Sequence, residues 1–214
     1  MTQSTYTSAV QRLAAMPEVF TGGDLSTVFG WKSATTSNYL ANWRKNGLVR
    51  ALGGRSDVYM NLVRNRQVSP ETALRRAFPN AVRVGVDVLR EAGWTTQIPT
   101  TPEVAVPVSS ALYAVQDFEL TTRPNKWFLQ VASGIVQVEQ GINQLKPAWA
   151  LADMLTRAQD SRIKKAWLLD PEDIDLEMAR SDKDVAQALQ VFKAAITDLS
   201  DSGYERICGA WQTR

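Results

Sequence analysis

Apolar residues recur at helical spacing through residues 5–16, where Tyr6, Val10, Leu13 and Ala14 share one side and Pro17 ends the run. Gly22-Gly23 then reads as a turn, and Asp24 is placed to cap a short helix through Leu25, Val28 and Phe29 that Gly30 closes. A third helix is predicted from Ser33, its cap, to Asn46, with Thr36, Leu40 and Trp43 as its core side and Gly47 as its stop. Residues 48–52 and 58–62 read as two strands joined by a hairpin tip at Gly53-Gly54-Arg55-Ser56-Asp57. Three short helices followed by a basic-tipped hairpin is the order of a winged helix-turn-helix.

Residues 63–69 are polar and basic, and Ser69-Pro70-Glu71 reads as the opening of a helix that reaches Phe78. The expected domains are therefore a winged helix-turn-helix over 1–66 and a mixed α/β domain over 67–214. In the latter the pattern predicts a helix over 81–92, a strand over 103–107, and β-formers over 111–118, 127–132 and 135–138. A helix from Pro147 to near Gln159, a short one over 161–169 and a late one over 184–200 follow. Tyr204, Ile207 and Trp211 are expected to pack the tail. The fold class is thus α+β, with a small sheet and several helices after the winged helix.

Composition narrows the chemistry. The chain has 214 residues, 44% of them hydrophobic, enough for a real core. It has no histidine, which excludes His-based triads, His-ligated zinc and a histidine pH switch. One cysteine excludes an intrachain disulfide. The first sixteen residues lack the apolar run of a leader or membrane span, so a cytoplasmic protein without a membrane partner is expected.

The formal charge is +2, but it is unevenly placed. Residues 1–66 carry eight basic residues against Glu18, Asp24 and Asp57, a net of +5, and the remainder is −3. On the third helix, Thr35, Ser37, Asn38 and Asn42 avoid the core stripe and have the side chains that read base edges. Lys32, Arg44 and Lys45 suit phosphates, and Arg50 and Arg55, on or beside the wing, are placed to reach the DNA backbone or the minor groove. The same polar helix is also what a solvated face looks like, so a winged helix used for protein contacts stays open. Trp31, Tyr39 and Trp43 raise the further reading of a base-stacking surface. More simply, Trp43 is core and Trp31 plugs the turn between helices.

Residues 170–184 hold seven acids and two bases, a net of −5. The run lacks the glycine and distal glutamate spacing of a calcium loop, so no metal is expected. Asp170, Glu172, Asp173 and Asp175 are instead candidates for a partner-facing acidic patch, with a plain solvated segment as the alternative. Cys208 has no histidine partner, Ser109-Ser110 lacks a nucleophile elbow, and neither glycine pair makes a P-loop. No catalytic constellation and no cofactor site emerge, although an enzyme using lysine and carboxylates is not excluded by composition.

Three segments resemble one family. NGLVRALGGRSDVY (46–59) resembles a wing in which a glycine-rich basic turn precedes a tyrosine, here Gly53-Gly54-Arg55 and Tyr59. AVRVGVDVLREAGWTTQIPTTPEVAVP (81–107) resembles a helix, small-residue turn, Thr-Gln-x-Pro segment and strand, mapping to Leu89, Gly93, Thr96, Gln97, Pro99 and 103–106. KPAWALADMLTRAQD (146–160) resembles a helix carrying small and acidic residues. Together they resemble the AbiEi-type antitoxin regulators of type IV toxin–antitoxin and phage-defence systems, closest to the short members. The wing departs in Ser56-Asp57, which adds an acid beside the basic tip. The resemblance implies a non-enzymatic regulator that binds double-stranded operator DNA and represses its own operon. It also implies a C-terminal domain that opposes a nucleotidyltransferase-like toxin. A monomer or weak dimer is expected.

Overall fold

The computed structural model describes residues 8–107, 114–139, 141–158, 174–175, 178–179 and 182–195. Among them are eight α-helices and two sheets, a mixed α+β fold. The described residues form two compact units. The first holds 8–80 with 114–117, 139 and 141–142; the second holds the rest.

The first unit opens with α1 (Ala9–Ala14), capped by Ser8, whose hydroxyl accepts from the Gln11 amide while Gln11 reaches back to the Ser8 amide. Leu13 is buried, but Val10 is exposed rather than on the core side. A strand not foreseen in the sequence follows, β1 (Val19–Thr21). Then come α2 (Gly22–Phe29), α3 (Ser33–Lys45), β2 (Val49–Ala51), β3 (Val58–Asn61) and α4 (Pro70–Ala77). The sheet order is β1-β3-β2, antiparallel throughout, with Phe20 opposite Tyr59 and Arg50 opposite Met60. Leu13, Met16, Phe20, Leu25, Leu40, Trp43 and Val49 form the core.

The caps differ from expectation. Gly22-Gly23 is no turn but the first turn of α2. Thr21 is the cap, accepting from the Asp24 amide, and Asp24 accepts from the Thr21 amide in return. The α3 cap position is Lys32, with Ser33 the first helical residue. Past α3, Gly47 takes φ +67°, where it donates to Arg44 and lets Leu48 donate to Trp43, closing the helix as expected.

Asn61, at the end of β3, is fully buried. Its Nδ2 donates to the carbonyls of Leu13 (2.7 Å) and Pro17 (3.2 Å), and its Oδ1 accepts from the Arg64 amide. It adds a second bond to the Leu13 carbonyl, which also accepts from the Met16 amide (3.0 Å), and serves the Pro17 carbonyl just past α1. The domain boundary expected at 66/67 lies instead at 80/81. Helix α4 packs on β1 and β3 and buries Ala73 and Leu74 completely.

The second unit contains β4 (Val82–Val84), α5 (Val86–Glu91), β5 (Glu103–Val106), β6 (Glu119–Thr122), α6 (Asn125–Gln130), β7 (Ile135–Val136), β8 (Asn143–Leu145), α7 (Pro147–Ala158) and α8 (Asp184–Ala195). The sheet order is β6-β5-β4-β8-β7, with β4/β8 and β5/β6 parallel and the other pairs antiparallel. Two predicted elements change type. The helix expected over 81–92 is a strand and a shorter helix, because Gly85 takes φ +79° between them. The strand expected over 127–132 is α6 and a 3₁₀ turn, with Trp127 and Val131 buried four residues apart. The helix predicted over 161–169, Cys208 and the tail residues Tyr204, Ile207 and Trp211 lie outside the described residues.

Charge is buried in this unit, but in pairs. Asp153 on α7 accepts from Arg123 (2.9 Å) and from the Trp127 indole (3.1 Å). Glu103 accepts from Arg157 (2.5 Å), and Asp87 is held between Arg83 (3.3 Å) and Arg90 (2.9 Å). Gly134 is required where α7 crosses, since a Cβ there would meet the Trp149 ring at 2.2 Å.

Candidate nucleic-acid interface

Helix α3 turns by about 100° per residue, which fixes three faces. Thr36, Leu40 and Trp43 are buried, as the spacing predicts. Opposite them, Thr35, Asn38, Asn42 and Lys45 point outward, interleaved with Ala34 and Ala41, and all are exposed. The flank between holds Ser33, Ser37 and Arg44, also exposed.

That flank borders a groove of about 440 Å³, walled by Gly22 and Gly23 at the start of α2 and by Asp57 and Tyr59. The helix therefore divides the candidate readers. Ser37 and Arg44 face the groove; Thr35, Asn38, Asn42 and Lys45 do not. The two asparagines also differ. Asn42 accepts from the Asn46 amide (3.2 Å), whereas Asn38 makes no side-chain hydrogen bond among the described residues. A bidentate contact uses both ends of an amide, and of these two candidates only Asn38 has neither end engaged among the described residues.

Asp57, the acid beside the basic tip, has structural work. Its carboxylate accepts from the Gly23 amide (3.2 Å) and its carbonyl from the Gly22 amide (3.2 Å). A Cβ on Gly22 would lie 2.6 Å from that carboxylate, so glycine is needed for the approach. The negative group compensates the positive end of α2. Burial, and then Asp57, push the Tyr59 hydroxyl up against the opposing pull of Arg44. Tyr59 therefore stays a neutral O–H in the groove.

The cations fall into two groups. Lys32, Arg44, Lys45 and Arg55 form no ion pair among the described residues. Arg55 sits at the tip of a turn closed by Ser56, whose amide and hydroxyl both donate to the Gly53 carbonyl (3.3 and 2.9 Å). Arg50, on β2, instead faces Asp117 at 3.9 Å. Behind the helix, burial pushes the Asp24 carboxyl up, but hydrogen bonds from Thr21 and Arg76 outweigh it and hold Asp24 below the usual aspartate range.

The aromatic residues are committed to packing. Trp31 stacks on Phe29 (4.8 Å) and on Tyr39 (4.3 Å), and the Arg12 guanidinium lies 5.2 Å from its centroid. Trp43 is 1% exposed. Trp31 thus links α2 to α3 as a plug, and its stacked neighbours occupy the surface that an unpaired base would need.

Elsewhere, a small cavity of about 70 Å³ in the second unit is lined by Asp87, Gln97, Glu103 and Glu119. No lysine lines it, and Asp87 and Glu103 are already paired with arginines. Among the described residues no group of three or more carboxylates or cysteines is placed to hold a metal ion, and no helix is long and apolar enough to cross a membrane. Of the candidate partner surface, Asp170, Glu172 and Asp173 lie outside the described residues. Asp175 is exposed, but its carboxylate accepts from the Met178 amide (3.1 Å) and its own amide donates to the Trp94 carbonyl (2.8 Å). No family model matches the chain, and no curated protein matches it in sequence.

Proposed function

We propose that the protein is a sequence-specific double-stranded DNA-binding regulator of the AbiEi antitoxin kind, with its first unit a winged helix. The observation that carries this is the outward face of α3. It sets Thr35, Asn38, Asn42 and Lys45 opposite a buried stripe, with two alanines between them that allow close approach to base edges. The order helix, strand, helix, helix, hairpin on a β1-β3-β2 sheet supports the winged-helix reading. Arg55 on the hairpin tip and Lys32 before α3 would hold backbone phosphates.

Titration of the full chain against a duplex from upstream of its own gene tests this. With three to five phosphate contacts, the logarithm of affinity should fall with the logarithm of salt at a slope of about −3 to −5. Absence of binding at low salt would refute the reading. It would favour the protein-contact alternative.

The resemblance adds a second limb, opposition to a nucleotidyltransferase-like toxin through the C-terminal region. A toxin that holds nucleotide phosphates presents a basic cleft, which the −5 segment 170–184 would steer toward itself. Changing Asp170, Glu172, Asp173 and Asp175 to amides in the full chain should lower survival when it is co-expressed with a neighbouring toxin. Undiminished rescue would leave the segment a solvated one.

A further inference from the structure

Strand β2 has β3 on one side only, so its other edge would be bare. Just past its end, that edge is approached by a segment from much later in the chain. Val115 forms an antiparallel bridge with Gly53, just past the end of β2. Val115 is 7% exposed and Leu52 2%. Gly53 takes φ +115°, and a Cβ there would come within 3.1 Å of the Ala114 carbonyl, so the close approach depends on glycine. Continuing that antiparallel register sets Asp117 level with Ala51. There its carboxylate lies 3.9 Å from the guanidinium of Arg50. Of the five cations offered for phosphate contact, Arg50 alone has an acidic partner among the described residues.

We propose that residues 114–117 are a built-in brake on DNA binding, in which Asp117 occupies Arg50 in place of a backbone phosphate. This rests on the DNA-binding reading above. The Asp117 carboxylate is held by the fold beside Arg50, so DNA must displace it to gain the Arg50 contact. Both side chains are partly exposed, 47% for Arg50 and 37% for Asp117. The pair is therefore weak enough to open, and its strength tunes affinity without preventing binding. Because a phosphate carries no base identity, the brake acts equally on operator and random DNA.

The experiment is a double-mutant cycle in the full chain: wild type, Asp117→Asn, Arg50→Gln and the double variant. Each is titrated by fluorescence anisotropy against a duplex from upstream of its own gene and against a random duplex. Asp117→Asn should tighten both by about two- to fivefold, the range of an exposed ion pair. The salt slope should change by much less than the roughly 0.9 of a whole phosphate contact, because DNA gains the Arg50 contact in both proteins. In the Arg50→Gln background the same change should do nothing. An unchanged affinity in Asp117→Asn, or an equal gain with and without Arg50, overturns the brake and leaves the DNA reading standing. Failure of every variant to bind either duplex at low salt overturns the DNA reading itself, and the brake with it.

Discussion

Asn61 shows how much one polar side chain can carry when it is buried. Its amide serves the end of α1 and the start of the chain after β3, while its own amide N–H donates to Glu18 at 2.8 Å. Asn61→Ala removes these bonds at a fully buried site, at a cost of about 1–3 kcal/mol. Urea unfolding should show this as a lower midpoint at constant slope. In the sequence Asn61 is only a polar residue in a strand. Nothing local says that it is inside, because the carbonyls it serves lie more than forty positions away. The role of Asp57 was hidden in the same way. It is an acid that weakens a basic tip until α2 is seen to start against it.

At the scale of elements, legibility followed the range of the forces involved. Helix α3 was readable because Thr36, Leu40 and Trp43 repeat at helical spacing and Gly47 supplies the stop. Helix α4 was readable from Ser69 and Pro70 alone. Strand β1 was not, since three residues have no period and only its pairing with β3 makes it a strand. For 82–89 the valines fit both patterns, and Gly85 decided the outcome. Residues 127–131 contain good β-formers, but Trp127 and Val131 are buried four apart and Leu129 between them is 79% exposed, which is a helical period. The division of α3 into an outward face and a groove flank yields a further prediction. Asn38→Ala should erode discrimination between operator and random duplex by about 1–3 kcal/mol, whereas Arg55→Ala should weaken both alike. Competition assays with the two duplexes measure the difference, and equal losses from Asn38→Ala would remove it as a reader.

For the whole molecule, the boundary matters more than its shift of fourteen positions suggests. A cut after residue 69 would strip α4 from β1 and β3 and expose the surfaces against which Ala73 and Leu74 are fully buried. Such a fragment should melt without a sharp transition by circular dichroism at 222 nm. A cooperative melt would show that α4 is dispensable to the first unit. The charge division at residue 66 marked a change in composition, not in packing, and the two need not coincide.

The strip at 114–117 has one more consequence, for inheritance. The first unit is not written as one uninterrupted stretch of gene. It borrows 114–117 for its sheet edge, and at 139 and 141 it borrows carbonyls that accept from Arg75 at 2.9 and 3.4 Å. A single recombination joint after residue 80 would transplant the first unit without its 114–117 segment and without these two carbonyls that accept from Arg75. The two halves of this protein are therefore expected to travel through evolution as one cassette, with α3 diversifying in place rather than by exchange of the module that bears it.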